Sequence, residues 1–409
     1  MSEQIDTVII GAGQFGLAVS YCLTQHKHPH VILEKDRIGE AWRSGKWDSF
    51  TLVSPNWTLQ LPGFPYQGDE PDGYLTREGV LHYLEEYASL FNPPVRTGIT
   101  VTSIHDDAGE FIIEADAATY RAANVVVATG AFPKPRIPAY ASQIASHIHQ
   151  IHTSQYRNPT SLPDGAILVV GSGQSGCQIA EELYKSGRTV YLCTSKVGRI
   201  PRRYRGKDAF WWVNALGMFD QTVNTLTSPS KRFDPNPQLT GKDGGRSLNL
   251  HRFASDGVTL LGHLQGADGT TLAIAGDLME NLAVSDKAEA QFKKAVDTYI
   301  DQNNLQAVQD QFTPDLLTRY DSEVITELDL DKVGIRTILW AGGYRCDFSW
   351  IKYPIFDAFG YPIHQRGITE HPGLYFIGLM WLHKSKSNLF WGVAEDAEYI
   401  AEHLVKRTS

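Results

Sequence analysis

Val8-Ile9-Ile10-Gly11-Ala12-Gly13-Gln14-Phe15-Gly16 decides how this chain folds. Apolar residues run into G-x-G-x-x-G, Phe15 to about His26 is helix-compatible, and a short strand from His30 to Leu33 ends in Glu34. Strand, glycine turn, helix, strand and acid, in that order, make a dinucleotide-binding unit. Gly11 permits the tight turn, Gly13 lets the backbone approach a pyrophosphate, and Gly16 allows close helix–strand packing. The helix start at Gln14 and Phe15 offers unpaired N–H groups and a positive dipole end to phosphate. Glu34 stands where a carboxylate accepts ribose hydroxyl hydrogens.

The same grammar returns later. Ile167-Leu168-Val169-Val170 leads into Gly171-Ser172-Gly173-Gln174-Ser175-Gly176, with a helix expected over Gln174 to Lys185 and a strand over Thr189 to Cys193. Two such units imply two bound nucleotides. The second has no acid at the end of its second strand. Ser195 and Lys196 stand there instead, with Arg199, Arg202, Arg203 and Arg205 close behind. A carboxylate favours a free 2′-hydroxyl, whereas hydroxyls and cations favour a 2′-phosphate. The first unit therefore suits FAD or NAD and the second NADP; with both in one chain, FAD falls to the first and NADPH to the second. The alternative for the arginines is a solvated basic edge.

The remaining composition narrows the class. The chain has 409 residues, 42% of them hydrophobic, enough for two or three domains with sizeable cores. Its 46 acidic and 37 basic side chains give a net charge of −9, which recommends neither a nucleic-acid nor an anionic-membrane partner. No apolar run approaches the roughly 20 residues of a membrane span, and the polar lead passes straight into a core strand, so a cytoplasmic location is expected. Cys22, Cys177, Cys193 and Cys346 form no C-x-x-C pair, which leaves a dithiol redox centre unsupported. His251 and His263 lack paired ligand spacing and read as ordinary polar or core residues, so no metal is expected.

Between the units, Thr76 to Leu90 has helical periodicity, and Ile99 to Ile104 (with Val101) and Glu110 to Ala115 alternate as strands. Val125 to Ala128 is a buried strand ending in Thr129-Gly130, and prolines at 133, 135 and 138 suit an extended crossing. Trp42 and Trp47 are placed to cover a planar ring, with plain core packing as the alternative. Asp286 to Phe312 reads as one long amphipathic helix. Near the end, Thr337 to Arg345 is a strand into a glycine turn, and Leu374 to Gly378 is another. The loop Leu379 to Asn388 then feeds a helix from Leu389 to Leu404, whose start can present N–H groups to an electron-rich ring edge.

Taken together, these stretches make the chain resemble the class B flavoprotein monooxygenases: flavin-containing monooxygenases, N-hydroxylases, Baeyer–Villiger enzymes and plant indole-pyruvate monooxygenases. The resemblance rests on both glycine fingerprints, Trp42, Val127-Ala128-Thr129-Gly130 with Phe132-Pro133, His152-Thr153-x-x-Tyr156, Trp340-Ala341-Gly342-Gly343-Tyr344-Arg345 and Gly373 to Gly378. Ser146 and Ile148 depart from the phenylalanine and glycine of the family's F-x-G-x-x-x-H pattern. The segment from 206 to 314 is similar to bacterial flavoproteins encoded beside nitrilases.

The resemblance implies an α/β fold of two dinucleotide-binding, Rossmann-like domains, with the NADPH domain inserted into the FAD domain. Expected limits are 1–155 and 325–409 for FAD and 160–320 for NADPH, with a divergent insert at 206–314. It implies FAD contacts from Gly11, Gly13, Gln14, Phe15, Gly16, Glu34, Lys35, Trp42, Val101, Thr129, Gly130, Gly378, Asn388 and Leu389. It implies NADP contacts from Gly171, Gly173, Gln174, Ser175, Gly176, Ser195, Lys196, Arg199 and Arg202. It also implies that NADPH reduces the flavin, that O2 adds to form a C4a-(hydro)peroxide, and that a small-molecule substrate is oxygenated at nitrogen, sulfur or a carbonyl carbon. Asn56 is the candidate hydrogen-bond donor to that peroxide, with a loop-structural role as its alternative. Arg43, His383 and Lys384 lie in flavin-proximal stretches. A homodimer is expected by analogy alone. The rival functions are an NADPH-dependent flavin reductase or oxidase, and a non-catalytic flavin-binding redox module.

Overall fold

The computed structural model describes residues 2–107, 109–116, 118–130, 134–309 and 324–408. Two sheets organise it, the first mixed around a parallel centre and the second parallel throughout. The first has the order His364–Gln365, Ile368–Thr369, Leu374–Phe376, Thr119–Val127, Ser2–Ile10, His30–Glu34, Val95–Thr97. Ile10 pairs with Leu33 on one side and Val127 on the other, and Phe376 also pairs with Val127, so these strands end at one level. A hairpin of Val101–Asp107 and Glu110–Ala115 adds to this sheet antiparallel through Thr119–Val127. Val8, Ile9, Val125 and Val126 are fully buried, as strands covered on both faces must be.

The second sheet runs His149–His152, Ile335–Trp340, Ala166–Val170, Val190–Cys193, Thr259–Leu261, all parallel. Val170, Cys193 and Trp340 share its carboxyl edge. The strands at 149–152 and 335–340 lie in this second sheet, so its sequence limits are wider than the expected 160–320. The chain crosses between sheets near 130–148 and again after 340. Those crossings pair with each other: Lys134–Pro135 lies antiparallel to Tyr344–Arg345. Phe132 and Pro133 fall outside the described residues.

His152 fixes the first crossing. It is buried, its Nε2 lies 3.1 Å from the Gly343 carbonyl, and its Nδ1 meets Ser154 Oγ at 3.0 Å. Burial lowers its pKa, which favours the neutral ring these bonds use.

Several element bounds differ from expectation for local reasons. The helix Arg77–Phe91 starts one residue late because Thr76 is its N-cap, accepting from the Gly79 N–H. The long helix spans Leu278–Gln302 instead of starting at Asp286. Its first two turns, with Leu278 and Leu282 buried and Asn281 Nδ2 bonded to Thr194 Oγ1, close over the second unit. It ends before Phe312, which lies outside the described residues. The final helix is Phe390–Thr408.

Candidate functional site

Both glycine turns have the same geometry. Gly11 has φ +105° and Gly171 +113°, in the left-handed region that only glycine enters readily. A side chain at either would press on a neighbouring strand's carbonyl, Ala128 for Gly11 and Ala341 for Gly171. A Cβ on Gly16 would overlap the Gly11 carbonyl oxygen, and one on Gly176 that of Gly171. Gly13 and Gly173 differ from these: a Cβ there meets nothing within 4 Å. Each caps a twelve-residue helix, Gln14–Gln25 or Gln174–Lys185, with no side-chain cap. Uncapped N–H groups above open space are what a pyrophosphate needs, and both cradles fit one.

Around the first cradle, Glu34 is buried and takes the Ala12 N–H at 2.7 Å and the Asp36 N–H at 3.0 Å. Each carboxylate oxygen keeps a lone pair, so Glu34 pins the turn and can still accept from a ribose. Trp42 Nε1 donates to Gln14 Oε1 at 3.0 Å, and its ring stacks on Phe390 at 5.6 Å. A Cβ on Gly378 would overlap the Phe15 ring. Gln14, Phe15, Trp42, Gly378 and the start of the last helix are thus one assembly. Thr129 is exposed and Gly130, at φ +81°, opens on free space. Asn388 and Leu389 are half-buried on the turn before that helix, Val101 is half-buried at the start of its hairpin, and Lys35 is exposed. Lys46, which sequence reasoning did not single out, lies 5.4 Å from the Trp42 ring and 5.1 Å from Phe50. Desolvation lowers its ammonium to about 8.

Around the second cradle, Ser172 Oγ takes the Ser195 N–H at 3.0 Å, a neutral counterpart of the Glu34–Ala12 bond. Ser175 is half-buried on the helix's first turn, Ser195 is half-buried, and Lys196 is exposed and paired with Glu280 at 2.7 Å. The insert covers this cradle with residues no motif marked. Gln174 Nε2 donates to the Pro237 carbonyl at 2.8 Å, and Gln238 Nε2 to the Ser172 carbonyl at 2.7 Å.

The arginines behave otherwise than expected. Arg199 is 3% exposed and spans Glu289 at 2.5 Å and Asp286 at 2.8 Å on the long helix. Arg202 is 2% exposed, bonded to Asp208 at 2.8 Å and the Val53 carbonyl at 2.6 Å. Arg203 holds the Gly244 and Gly245 carbonyls, and Arg205 pairs with Asp297. Arg199 and Arg202 are internal ties and not a solvated edge, whereas Arg203 is exposed and Arg205 half-buried.

Asn56 is also reassigned. It is 2% exposed; its amide donates to the Glu70 carbonyl at 2.9 Å and accepts from the Leu75 N–H at 2.8 Å. That clamps the loop and leaves the catalytic assignment without geometry. Arg43 pairs with Glu85, and Lys384 with Glu395 and Asp220. The His383 backbone carbonyl accepts from the Val223 N–H. His251 pairs with Asp286 at 3.0 Å. Among the described residues, no three His, Cys, Asp or Glu side chains are grouped to hold a metal, and no helix is long and apolar enough to cross a membrane.

Comparisons place this geometry. A family described as pyridine nucleotide-disulphide oxidoreductase matches residues 8–210. An uncharacterised CzcO-like oxidoreductase of Geobacillus kaustophilus is 34% identical, over 99% of both chains. The rice indole-3-pyruvate monooxygenase YUCCA1 is 30% identical over 51% of this chain and 52% of its own. A flavin monooxygenase from Stenotrophomonas maltophilia superposes with TM-score 0.68 at 18% identity, covering all of both chains, a likeness of fold. The two open cradles, the acid at one and its absence at the other, fit FAD and NADPH as the cofactors. This chain belongs to the family of CzcO-like oxidoreductases.

Proposed function

We propose that the protein oxygenates a small molecule at nitrogen, sulfur or a carbonyl carbon, using O2 and electrons from NADPH. The carrying observation is the pair of complete, open cradles in a chain with no paired cysteines to receive electrons. Burial pushes the Cys22 thiol up to about 12 and the Cys177 and Cys193 thiols higher, so none is a ready thiolate at neutral pH. The disulphide step in the matching family's description has no dithiol here. Four unpaired thiols also suit a reducing, cytoplasmic setting.

FAD, when bound, supplies hydride acceptance and reaction with O2. The chain's residues do the rest. Gly13 and the Gln14–Gln25 helix start receive the first pyrophosphate, with Glu34 on the ribose; Gly173 and the Gln174–Lys185 helix start receive the second. Ser195 and Lys196 contact the 2′-phosphate. Trp42 and Phe390 would cover the flavin end and keep water from it, which oxygen transfer requires. No side-chain acid or base is needed for hydride transfer, and none is assigned.

The test is rapid mixing of NADPH-reduced enzyme with O2. The proposal expects a transient spectrum distinct from both oxidised and reduced flavin, outlived by little free peroxide when substrate is present. Immediate peroxide release with no transient, under every substrate condition, makes the protein a reductase or oxidase instead.

A further inference from the structure

We propose that the seam between the insert and the first unit is the organic-substrate site. Its occupant is a planar aromatic molecule carrying a neutral oxygen acceptor; this deepens, and rests on, the monooxygenase function above.

Seven side chains from three distant stretches form a closed circuit. Trp57 meets Trp391 at 4.9 Å, Trp391 meets Phe219 at 5.1 Å, and Phe219 meets Phe210 at 5.4 Å. Phe210 lies 5.5 Å from the Arg202 guanidinium, which stacks 4.2 Å from the Tyr74 ring. Asn56 closes the circuit, because its amide ties the turn carrying Trp57 to the loop carrying Tyr74. Trp391 stands at the start of the last helix, three residues beyond Asn388, beside the expected flavin edge.

The wall is held firmly. Asp220 pairs with Lys384 at 3.1 Å and Lys386 at 2.8 Å. Ser385 binds the Met218 and Gln221 carbonyls, and Thr222 forms an antiparallel bridge with Lys384. Yet Trp57, Phe210 and Trp391 all keep part of their surface exposed. Apolar rings braced in place and left partly in water mark a face that another ring covers.

Arg202 supplies the polar requirement. Its Nε and Nη1 are taken by Asp208 and the Val53 carbonyl, and Tyr74 also donates to Asp208 at 2.7 Å. The buried Nη2 has no acceptor, which leaves a desolvated donor unsatisfied until one arrives. Because Asp208 already balances the guanidinium, a carboxylate here would add a buried charge without its own cation. A carbonyl oxygen satisfies the N–H groups without that charge.

The experiment uses the full-length FAD-loaded protein and three probes: acetophenone, benzoate and ethylbenzene. Each is titrated while the flavin spectrum is followed. Acetophenone should bind at least about tenfold more tightly than the other two, a 1.4 kcal/mol preference. Phe219→Ala and Trp57→Leu should each weaken it by a similar factor, with flavin content and circular dichroism reporting that the variants are folded. Equal affinity in wild type and both variants, or no spectral response to any probe, overturns the site. Tighter benzoate binding overturns the neutral acceptor. Failure of NADPH to reduce the wild-type flavin would instead sink the monooxygenase function, and the probe titration would still read out.

Discussion

The two nucleotide units have nearly one backbone geometry and two different surroundings. Gly11 and Gly171 share a left-handed turn, Gly16 and Gly176 abut it in the same way, and Gly13 and Gly173 both face open space. The first unit ends its second strand on a buried carboxylate held by two N–H groups; the second offers a serine and an exposed lysine. Trp42 and Phe390 stand beside the first, and Pro237 and Gln238 of the insert beside the second. The turn binds pyrophosphate in both, so ligand identity lies outside it, in the strand end and the cover.

The sharpest way to break this comparison is to fill each cradle. Gly13→Ala and Gly173→Ala place a methyl where no protein atom is displaced, so both apoproteins should keep the melting temperature of the wild-type apoprotein. Gly13→Ala should weaken FAD by about a hundredfold, ~3 kcal/mol, and purify colourless. Gly173→Ala should purify yellow and lose NADPH affinity by a like factor. Absorbance spectra and anaerobic titration distinguish the two outcomes, and an identical phenotype would erase the division between units.

Arg199→Ala comes next, as a test that the basic cluster is internal. Removing one member of a buried ion pair costs about 3–5 kcal/mol, so chemical denaturation should show a large loss of stability. The preference for NADPH over NADH should survive in whatever protein folds. Glu34→Gln should cost FAD about tenfold by losing a charge-assisted acceptor, with equilibrium dialysis as the measurement. Lys196→Ala should reduce the NADPH-to-NADH ratio only about threefold, because the ammonium is exposed and screened; steady-state rates with both nucleotides read it.

The smallest effect concerns an acid near the first unit that has no parallel in the second. Burial pushes the Asp396 carboxyl up to about 6, with Arg366 3.6 Å away. A folded-state value above the ordinary one means that the native fold favours the proton. Its stabilisation is complete below the ordinary carboxylate range and lost as pH rises through about 6. Asp396→Asn should flatten that fall, raising the melting temperature slightly at pH 8 and leaving it unchanged at pH 4.

What could be read from sequence follows the range of the forces involved. Glycine turns and the buried apolar strands that lead into them are local, so both strand–turn–helix units were legible. Arg199 was not, because its partners Asp286 and Glu289 lie on a helix far along the chain. A cluster of arginines looks the same in sequence whether it waits for phosphate or is already neutralised. Asn56 was located but misread for a similar reason, since its partners Glu70 and Leu75 are backbone groups that no residue type announces. The insert stayed opaque because it is built of short turns anchored elsewhere, on Ser385 and Trp391. The strands of the second sheet at 149–152 and 335–340 were assigned to the first domain because strand pairing across such distances leaves no local mark.

The most direct test of the whole account is anaerobic stopped-flow reduction of the purified holoenzyme. NADPH should bleach the bound flavin in a single fast phase, at least about tenfold more efficiently than NADH, one phosphate contact's worth of binding. A flavin that stays oxidised in the presence of NADPH would contradict it.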